Sequence, residues 1–415
     1  MENDLIYRLK GDKVIWIIVF LLSLISIAAV YSSSSSLAFR DKVGTFDILL
    51  KQMRFVVFGL TALYICYKIP IGWYRRLSYP GMLASLALLA LTAFAGVNIN
   101  NADRAFVIMG ISFQPSEIAK IAIVLYLAKV LEDFKFDTFK EFMIWIIAPV
   151  GASLILIFNG SASAALLVGI VVFTMLIIAN IKWSHILKAA GIAAGALLLL
   201  ILLNLAFGLF PRIETASSRL TTYFVKHNEE SLTPQQKQAV AAKTFQADMA
   251  EIAIASGGIT GKGPGKSTQR NLLPHPYSDY IYAIIIEEWG LIGGFFVLMF
   301  YVWFFTRCVM LIRSCTRIFT ISLVSGLGVL ITTQALVHIL VNVGLLPVTG
   351  HTLPLISLGG TSFIIMSGAF GIILSVSRTI EMAGKKREEA GQIEHEKENE
   401  QQTNNNIVEL SPRQR

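Results

Sequence analysis

The sequence predicts an all-α, polytopic membrane protein of about ten transmembrane helices, and three observations predict it. Of the 415 residues, 54% are apolar and only 15% are charged. Apolar runs of about 20 residues recur along the chain, the length an α-helix needs to cross the hydrocarbon core. Lysine and arginine gather in alternate short loops, the distribution that marks the cytoplasmic ends of membrane helices.

The runs fall near residues 14–32, 53–69, 79–96, 118–131, 142–159, 162–180, 187–209, 280–305, 319–345 and 352–377. The first is long enough to span and lacks a small-x-small cleavage site, so it reads as a helix and not as a signal peptide, although serines 32–36 follow it. Arg8, Lys10 and Lys13 precede the first run, and Arg75 and Arg76 separate the second from the third. Lys135 and Lys140 follow the fourth, Lys182 and Lys188 flank the loop before the seventh, Arg307, Arg313 and Arg317 lie before the ninth, and Lys385, Lys386 and Arg387 follow the tenth. With ten spans all of these share one side. The expectation is therefore a multi-pass protein of the inner (cytoplasmic) membrane, both termini cytoplasmic, with a large outer loop at about 210–278 between helices seven and eight. Residues 1–383 form the membrane domain, and residues 384–415, rich in Glu, Gln, Asn and Lys, are expected to be a disordered cytoplasmic tail.

The formal net charge of +8 is spent on these topology signals and forms no basic stripe with interleaved aromatics, so nucleic acid is not an expected partner. Cys66, Cys308 and Cys315 lie in or beside spans and form neither a disulfide framework nor a metal-binding spacing. Walker, Rossmann and zinc motifs are absent.

Polar chemistry concentrates in four segments that this topology places on the outer side. The first carries Asn101, Ala102, Asp103 and Arg104, then Gln114, Pro115, Ser116, Glu117 and, inside the apolar run, Lys120. Pro115 suits the first turn of a helix, and Gln114, Glu117 and Lys120 at i, i+3 and i+6 share roughly one face. Helix-dipole stabilisation and pairing with Lys120 account for Glu117, but not for a lysine in an otherwise apolar span; lining a cavity accounts for both. The second segment, 256–269, is glycine-rich and carries Lys262, Lys266 and Gln269, which suits either a flexible turn or a loop whose amides and lysines hold a diphosphate.

The third segment leads through Pro274, His275 and Pro276 to Asp279, where the loop meets an apolar helix. A carboxylate at the lip of a membrane segment caps the helix, or faces a wet cavity or reacting group, and both roles stay open. Glu287 and Glu288 lie about 12–14 Å deeper, Glu288 on the face opposite Asp279 and Glu287 about a quarter-turn away, so neither forms an obvious dyad with it and both are expected to hold helices together, protonated or paired with a cation. The fourth segment, 342–362, has Gly and Pro on both sides of a membrane boundary, as irregular backbone lining a cavity would; Gly359 and Gly360 read as close-packing positions.

Taken in order, the Gln-Pro-Ser-Glu block with its lysine, the Gly-Lys-Gly-x-Gly loop, the Leu-Pro-x-x-x-x-Asp segment followed by Glu-Glu-x-Gly, and the Gly-x-x-Leu-Pro-Leu-Ser-x-Gly-Gly end resemble the SEDS family (shape, elongation, division and sporulation) of FtsW/RodA-type glycan polymerases. The resemblance covers nearly all of residues 10–380. It implies a ten-helix peptidoglycan glycosyltransferase that polymerises lipid II into β-1,4 glycan. Asp279 matches the family's essential aspartate and is the expected general base, with undecaprenyl diphosphate as leaving group. Glu117 and Lys120 match polar residues of its central cavity. With them, Arg104, Gln114, Ser116, Lys262, Lys266, Gln269 and His275 are the expected substrate-binding set. The chain departs from the family at Tyr277 and Ser278, where His-Thr is common, and at 159–163, where the usual Pro-Asp-Leu-Gly is replaced by Asn-Gly-Ser-Ala-Ser. Ser267, Thr268, Gln269 and the stretch 350–354 resemble the division branch more than the elongation branch.

No cofactor is assigned, and a divalent cation (Mg or Mn) held by carboxylates stays open, with no ligand cluster to hold it. The resemblance also implies lipid II, membrane lipid, a class B penicillin-binding protein and other divisome or elongasome proteins as partners, with small-residue faces such as Gly326 and Gly328 suited to a partner's span. Polar groups in a membrane cavity also suit a lipid II flippase, and a non-enzymatic division scaffold is a third reading. The scaffold leaves Asp279 and Lys120 without a task.

Overall fold

The computed structural model describes residues 10–33, 45–95, 97–98, 103–108, 111–208, 211–226, 234–273 and 275–410. Of the positions named above, Arg8, serines 34–36, Asn101, Ala102, Pro274 and residues 411–415 lie outside them. The elements are α1 (Lys13–Ser33), α2 (Thr45–Lys68), α3 (Ile71–Ala95), short strands β1 (Val97–Asn98), β2 (Asp103–Ile108) and β3 (Ile111–Phe113), then α4 (Pro115–Asp133) and α5 (Phe139–Gly160), which contains a π-helical turn. α6 (Ala162–Ile178), α7 (Trp183–Phe207), α8 (Pro211–Lys226), α9 (Pro234–Gly257), α10 (Ile281–Arg313), α11 (Ile318–Asn342) and α12 (Thr361–Leu410) follow. Each of the ten expected spans coincides with a helix. Seven of them (α1, α2, α5, α7, α10, α11 and the first half of α12) are long and apolar enough by themselves to cross a membrane. α3, α4 and α6 complete the bundle; α4 carries its charges near its ends, and α6 is apolar throughout but only 17 residues long.

The basic residues gather at one end of the bundle, where they tie it together. Arg75 pairs with Glu132 at 2.7 Å, Arg307 with Asp12 at 2.6 Å, and Lys182 with Asp137 at 3.6 Å. Arg378 donates to the Lys68 carbonyl at 3.1 Å. Asp12 also accepts from the Val14 and Ile15 amides, so one carboxylate caps α1 and anchors α10. At the other end lie the β-ribbon, the 256–279 loop, α8, α9 and the 343–360 loop. α11 and α12 form the centre, each with 72% of its apolar window buried in protein, whereas α7 has 6% and faces outward almost all round.

Five features differ from the sequence reading. Residues 97–113 hold an antiparallel ribbon, with Ala105 opposite Val97 and Val107 opposite Ser112, because alternating β-branched and aromatic residues fit a pleat. The loop at 210–278 contains two helices, α8 and α9. The tenth span starts at Thr361 and not at 352, since Pro354, Gly359 and Gly360 keep the intervening backbone irregular. The tail expected to be disordered is helical as far as Leu410; its Glu, Lys and Gln are good helix formers, and Lys385 pairs with Glu381 at 3.1 Å, one turn apart. Finally, Gly326 and Gly328 are unsuited to a partner's helix. They are buried against Met175, Val124 and Cys308, leaving no space even for a Cβ at Gly326.

Candidate active site

Asp279 is held at the start of α10 by its backbone. Its amide donates to the His275 carbonyl at 3.2 Å, and its own carbonyl accepts from Asn342 Nδ2 at 3.1 Å. Asn342, at the end of α11, also accepts the Ala283 amide through Oδ1 at 3.1 Å. That amide is one of the unsatisfied donors of a helix first turn. Asn342 therefore supplies a cap to the first turn of α10, which starts immediately after Tyr280, a residue with no side-chain cap bond. The half-buried Asp279 carboxylate accepts the Ser278 hydroxyl at 3.0 Å, and its Oδ2 lies 4.0 Å from where a Cβ of Gly350 would stand. The neighbouring backbone is pinned as well: Ser357 Oγ donates to the Ser278 carbonyl at 2.8 Å, and the Leu358 amide to the Tyr277 carbonyl at 2.9 Å.

From Gly350 the 343–360 loop connects Asp279 to the buried pair in α4. Pro115 starts α4 as the sequence predicts, with Gln114 at the cap position. Lys120 is fully buried and pairs with Glu117 at 2.8 Å. Its ammonium also donates to Gln334 Oε1 at 2.9 Å, and Gln334 Nε2 donates to the Thr352 carbonyl at 3.0 Å. Ser362 Oγ donates to the other Glu117 oxygen at 3.0 Å and lies 3.2 Å from Thr352 Oγ1. His338 Nδ1 donates to the His351 carbonyl at 2.7 Å. Burial, reinforced by the Lys120 charge and opposed by Glu117, holds the His351 imidazole down at a pKa of about 4. The ion pair is thus a satisfied network, as a buried pair must be if it is not to destabilise the fold.

The glycine-rich segment packs instead against α10 some eight to thirteen residues beyond Asp279. α10 is broken at Gly290, whose φ of 72° and ψ of −175° are not helical. The groups this break frees are taken up by the turn after α9: the Lys262 and Gly263 amides donate to the Glu287 and Glu288 carbonyls, both at 2.9 Å, and the Leu291 amide donates to the Gly258 carbonyl at 2.9 Å. The approach is so close that a Cβ at Gly261 would sit 2.2 Å from the Glu288 oxygen. Such satisfaction of a broken helix by neighbouring protein is what a membrane segment requires.

Glu287, with no exposed surface, accepts from Lys262 Nζ at 2.6 Å, from Thr268 N and Oγ1 at 2.9 and 2.8 Å, from the Gln269 amide at 3.3 Å, and from Ser267 Oγ. Glu288 accepts from Ser32 Oγ and has Arg270 at 3.9 Å. The helix-holding role expected of both acids fits Glu288, which reaches the end of α1, whereas Glu287 holds the 262–269 loop onto α10 with Lys262 as its cation.

The expected substrate-binding residues therefore separate. Glu117, Lys120 and Asp279 meet through the 350–362 stretch, and Ser116 is buried beside them in sequence with its hydroxyl unpartnered. Lys262 and the Gln269 backbone serve Glu287, Lys266 is exposed, and His275 lies 3.3 Å from the Tyr277 hydroxyl. Arg104 lies on β2. The departure at 159–163 also reaches the site: Ser161 caps α6 through the Ala164 amide at 3.3 Å, and Ser163 Oγ donates to the Thr349 carbonyl at 3.2 Å. The sequence reading missed Gln334 and His338 and did not single out Asn342. Their spacing of four, a polar stripe on one face of an apolar helix, is the signal that finds them. Among the described residues no group of three His, Cys, Asp or Glu side chains converges.

Comparison with known proteins agrees with this architecture. The FtsW/RodA/SpoVE model, described as "Cell cycle protein", matches residues 12–382. A protein of Thioalkalivibrio sulfidiphilus named probable peptidoglycan glycosyltransferase FtsW is 29% identical over 374 residues, 88% of either chain. Among solved structures, a chain of a peptidoglycan synthase complex, described as coordinating polymerization and crosslinking, superimposes with a TM-score of 0.68 and 26% identity, covering 89% of this chain and 98% of that one. The rod shape determining protein RodA of Thermus thermophilus gives a TM-score of 0.61 at 27% identity, covering 90% and 98%. With a model match spanning the whole membrane domain and folds that align over nearly their full length, the chain belongs to the FtsW/RodA/SpoVE family.

Proposed function

We propose that this protein is an inverting peptidoglycan glycosyltransferase that polymerises lipid II, with Asp279 as general base. The observation that carries this reading is the placement of the Asp279 carboxylate: Asn342 supplies a cap to the first turn of α10, and the 350–352 stretch links the acid to the buried Glu117–Lys120 pair. In the reaction a sugar 4-hydroxyl of one substrate attacks the anomeric carbon of another. The C–O bond forms as the bond to the diphosphate breaks, Asp279 takes the hydroxyl proton, and the α-linked donor becomes a β-linked product. A diphosphate leaves without protonation when its charge is stabilised, so one base is enough.

The topology signals favour cytoplasmic termini and an Asp279 site facing outward, in the inner membrane. α7, packed against almost nothing, favours lateral access for the polyprenyl tails. The synthase complex among the structural relatives favours a class B penicillin-binding protein as partner, and the relatives named FtsW favour division over elongation. The test is polymerisation of purified lipid II in detergent, with the penicillin-binding partner inactivated for glycan synthesis, comparing wild type with Asp279→Asn. Wild type makes long glycan and the folded variant makes none. No polymer from either, with lipid II crossing vesicle bilayers in a protein-dependent way, makes the protein a flippase instead.

A further inference from the structure

A cavity of about 340 Å³ opens between α8, α9, the turn after α11 and Tyr280, the residue that follows Asp279. Arg219 on α8 donates to the Val348 carbonyl at 3.0 Å and Tyr223 to the Leu345 carbonyl at 3.0 Å, fixing α8 to the turn. Lys226 joins α8 to α9 through Asp248 at 2.6 Å and Glu251 at 2.7 Å. Burial pulls the Lys226 ammonium down, but the hydrogen bonds to Asp248 and Glu251 outweigh it and hold its pKa above the ordinary lysine value. Tyr280, the residue after Asp279, forms part of the wall.

The lining divides by chemistry. Ser218, Thr222 and Gln246 line the cavity with hydroxyl and amide groups that make no hydrogen bond among the described residues, and the turn after α11 adds the apolar Leu346, Pro347 and Val348. Of the two cations in the lining, Arg219 and Lys226, the second is neutralised by Glu251 in the lining and by Asp248 behind it, so the cavity offers little net charge to a diphosphate. A lining that combines unpartnered polar groups with apolar side chains suits a pyranose ring, which carries its hydroxyls at the edge and C–H groups on its faces. The volume lies at the small end for ligand cavities and suits a single ring with its N-acyl group.

We infer that this cavity is a saccharide subsite holding one N-acetylhexosamine ring next to the ring at which Asp279 acts. The inference rests on the glycosyltransferase reading for its substrate class, and on the cavity for its position. The ring belongs either to the elongating strand or to the lipid-linked monomer.

The experiment is calorimetric titration of the full-length protein in detergent with a lipid-free tetrasaccharide of alternating N-acetylglucosamine and N-acetylmuramic acid, and in parallel with lipid II. Thr222→Trp fills the cavity, and Gln246→Ala, on an exposed position, removes one polar contact without stress on packing. Tetrasaccharide binding weakened at least tenfold by Thr222→Trp and several-fold by Gln246→Ala, at unchanged Tm, supports a strand subsite. The same losses for lipid II alone support a monomer subsite. Equal binding of both ligands to wild type and Gln246→Ala overturns the proposal, whether or not Thr222→Trp folds. The two readings fail separately: wild-type polymerisation with binding and chain length unmoved in the variants removes the subsite, whereas variant-sensitive tetrasaccharide binding without any polymer removes the polymerase.

Discussion

Glu287→Gln tests whether the 262–269 loop is positioned by one buried carboxylate. The substitution keeps the shape but removes the charge that Lys262 meets at 2.6 Å and that the Thr268 and Gln269 amides share. Removing one partner of a buried ion pair costs about 3–5 kcal/mol. The Lys262 side chain is 29% exposed and regains water, which places the expected cost near the bottom of that range, at about 3 kcal/mol. The loss falls on the docking of the loop onto α10, so it appears as local opening; at about 1.4 kcal/mol per tenfold, exchange of the Thr268 and Gln269 amides accelerates by about a hundredfold. Hydrogen–deuterium exchange with mass spectrometry on a peptide spanning 262–273, with one from α11 as reference, reads this directly. Polymerisation falls with it, because the same loop leads through the Gln269–Asn271 turn to Asp279. Unchanged exchange in 262–273 would refute the reasoning, even with activity lost, since Glu287 would then act by another route.

Three further outcomes are expected. Lys120→Met leaves Glu117 buried without its cation and lowers stability by about 3–5 kcal/mol, whereas Lys120→Met with Glu117→Gln recovers most of the Tm; a double variant no more stable than the single one contradicts the pairing. Gly261→Ala forces a Cβ to 2.2 Å from the Glu288 oxygen at a φ of +79° and abolishes monodisperse protein on size exclusion, while Gly191→Ala, with open space around it in α7, is neutral or slightly stabilising. For His351 the folded pKa of about 4 lies below the ordinary 6.5, so the unfolded chain takes up the proton first. Stability contributed by the neutral imidazole is full above pH 6.5 and falls as pH drops towards 4, by up to about 3 kcal/mol; about 2 kcal/mol of it is lost between pH 7 and 5, and His351→Gln flattens the Tm difference between those two pH values by that share.

The ten spans are legible in the sequence because a bilayer asks only for apolar length, and the ends of the bundle because Lys and Arg label them. Asp279 and the Glu117–Lys120 pair stand out for the complementary reason, as charges where apolar residues are the rule. What the sequence hides is whatever depends on a partner far along the chain. Lys262 looks like an anion-binding lysine until Glu287 is seen 2.6 Å away, and nothing in the glycine-rich stretch announces that its amides complete a helix. Gly290 is one glycine in an apolar run, indistinguishable there from a packing position. α8 and α9 escape notice because their residues are too polar for spans, and a loop was the simpler expectation. The tail after Gly384 has a composition that fits both a solvated coil and a solvated helix.

The break at Gly290 also sets an order of events during synthesis. α10 enters the bilayer with carbonyls and amides at mid-helix that its own turns cannot satisfy, and each such group is costly in hydrocarbon. The segment that satisfies them, 258–263, precedes α10 in the chain and has already emerged when the break arrives. The plug is made before the gap. A seated α10 therefore needs the 258–263 turn docked on it, and the turn ties the chain that leads on to Asp279 to the same helix.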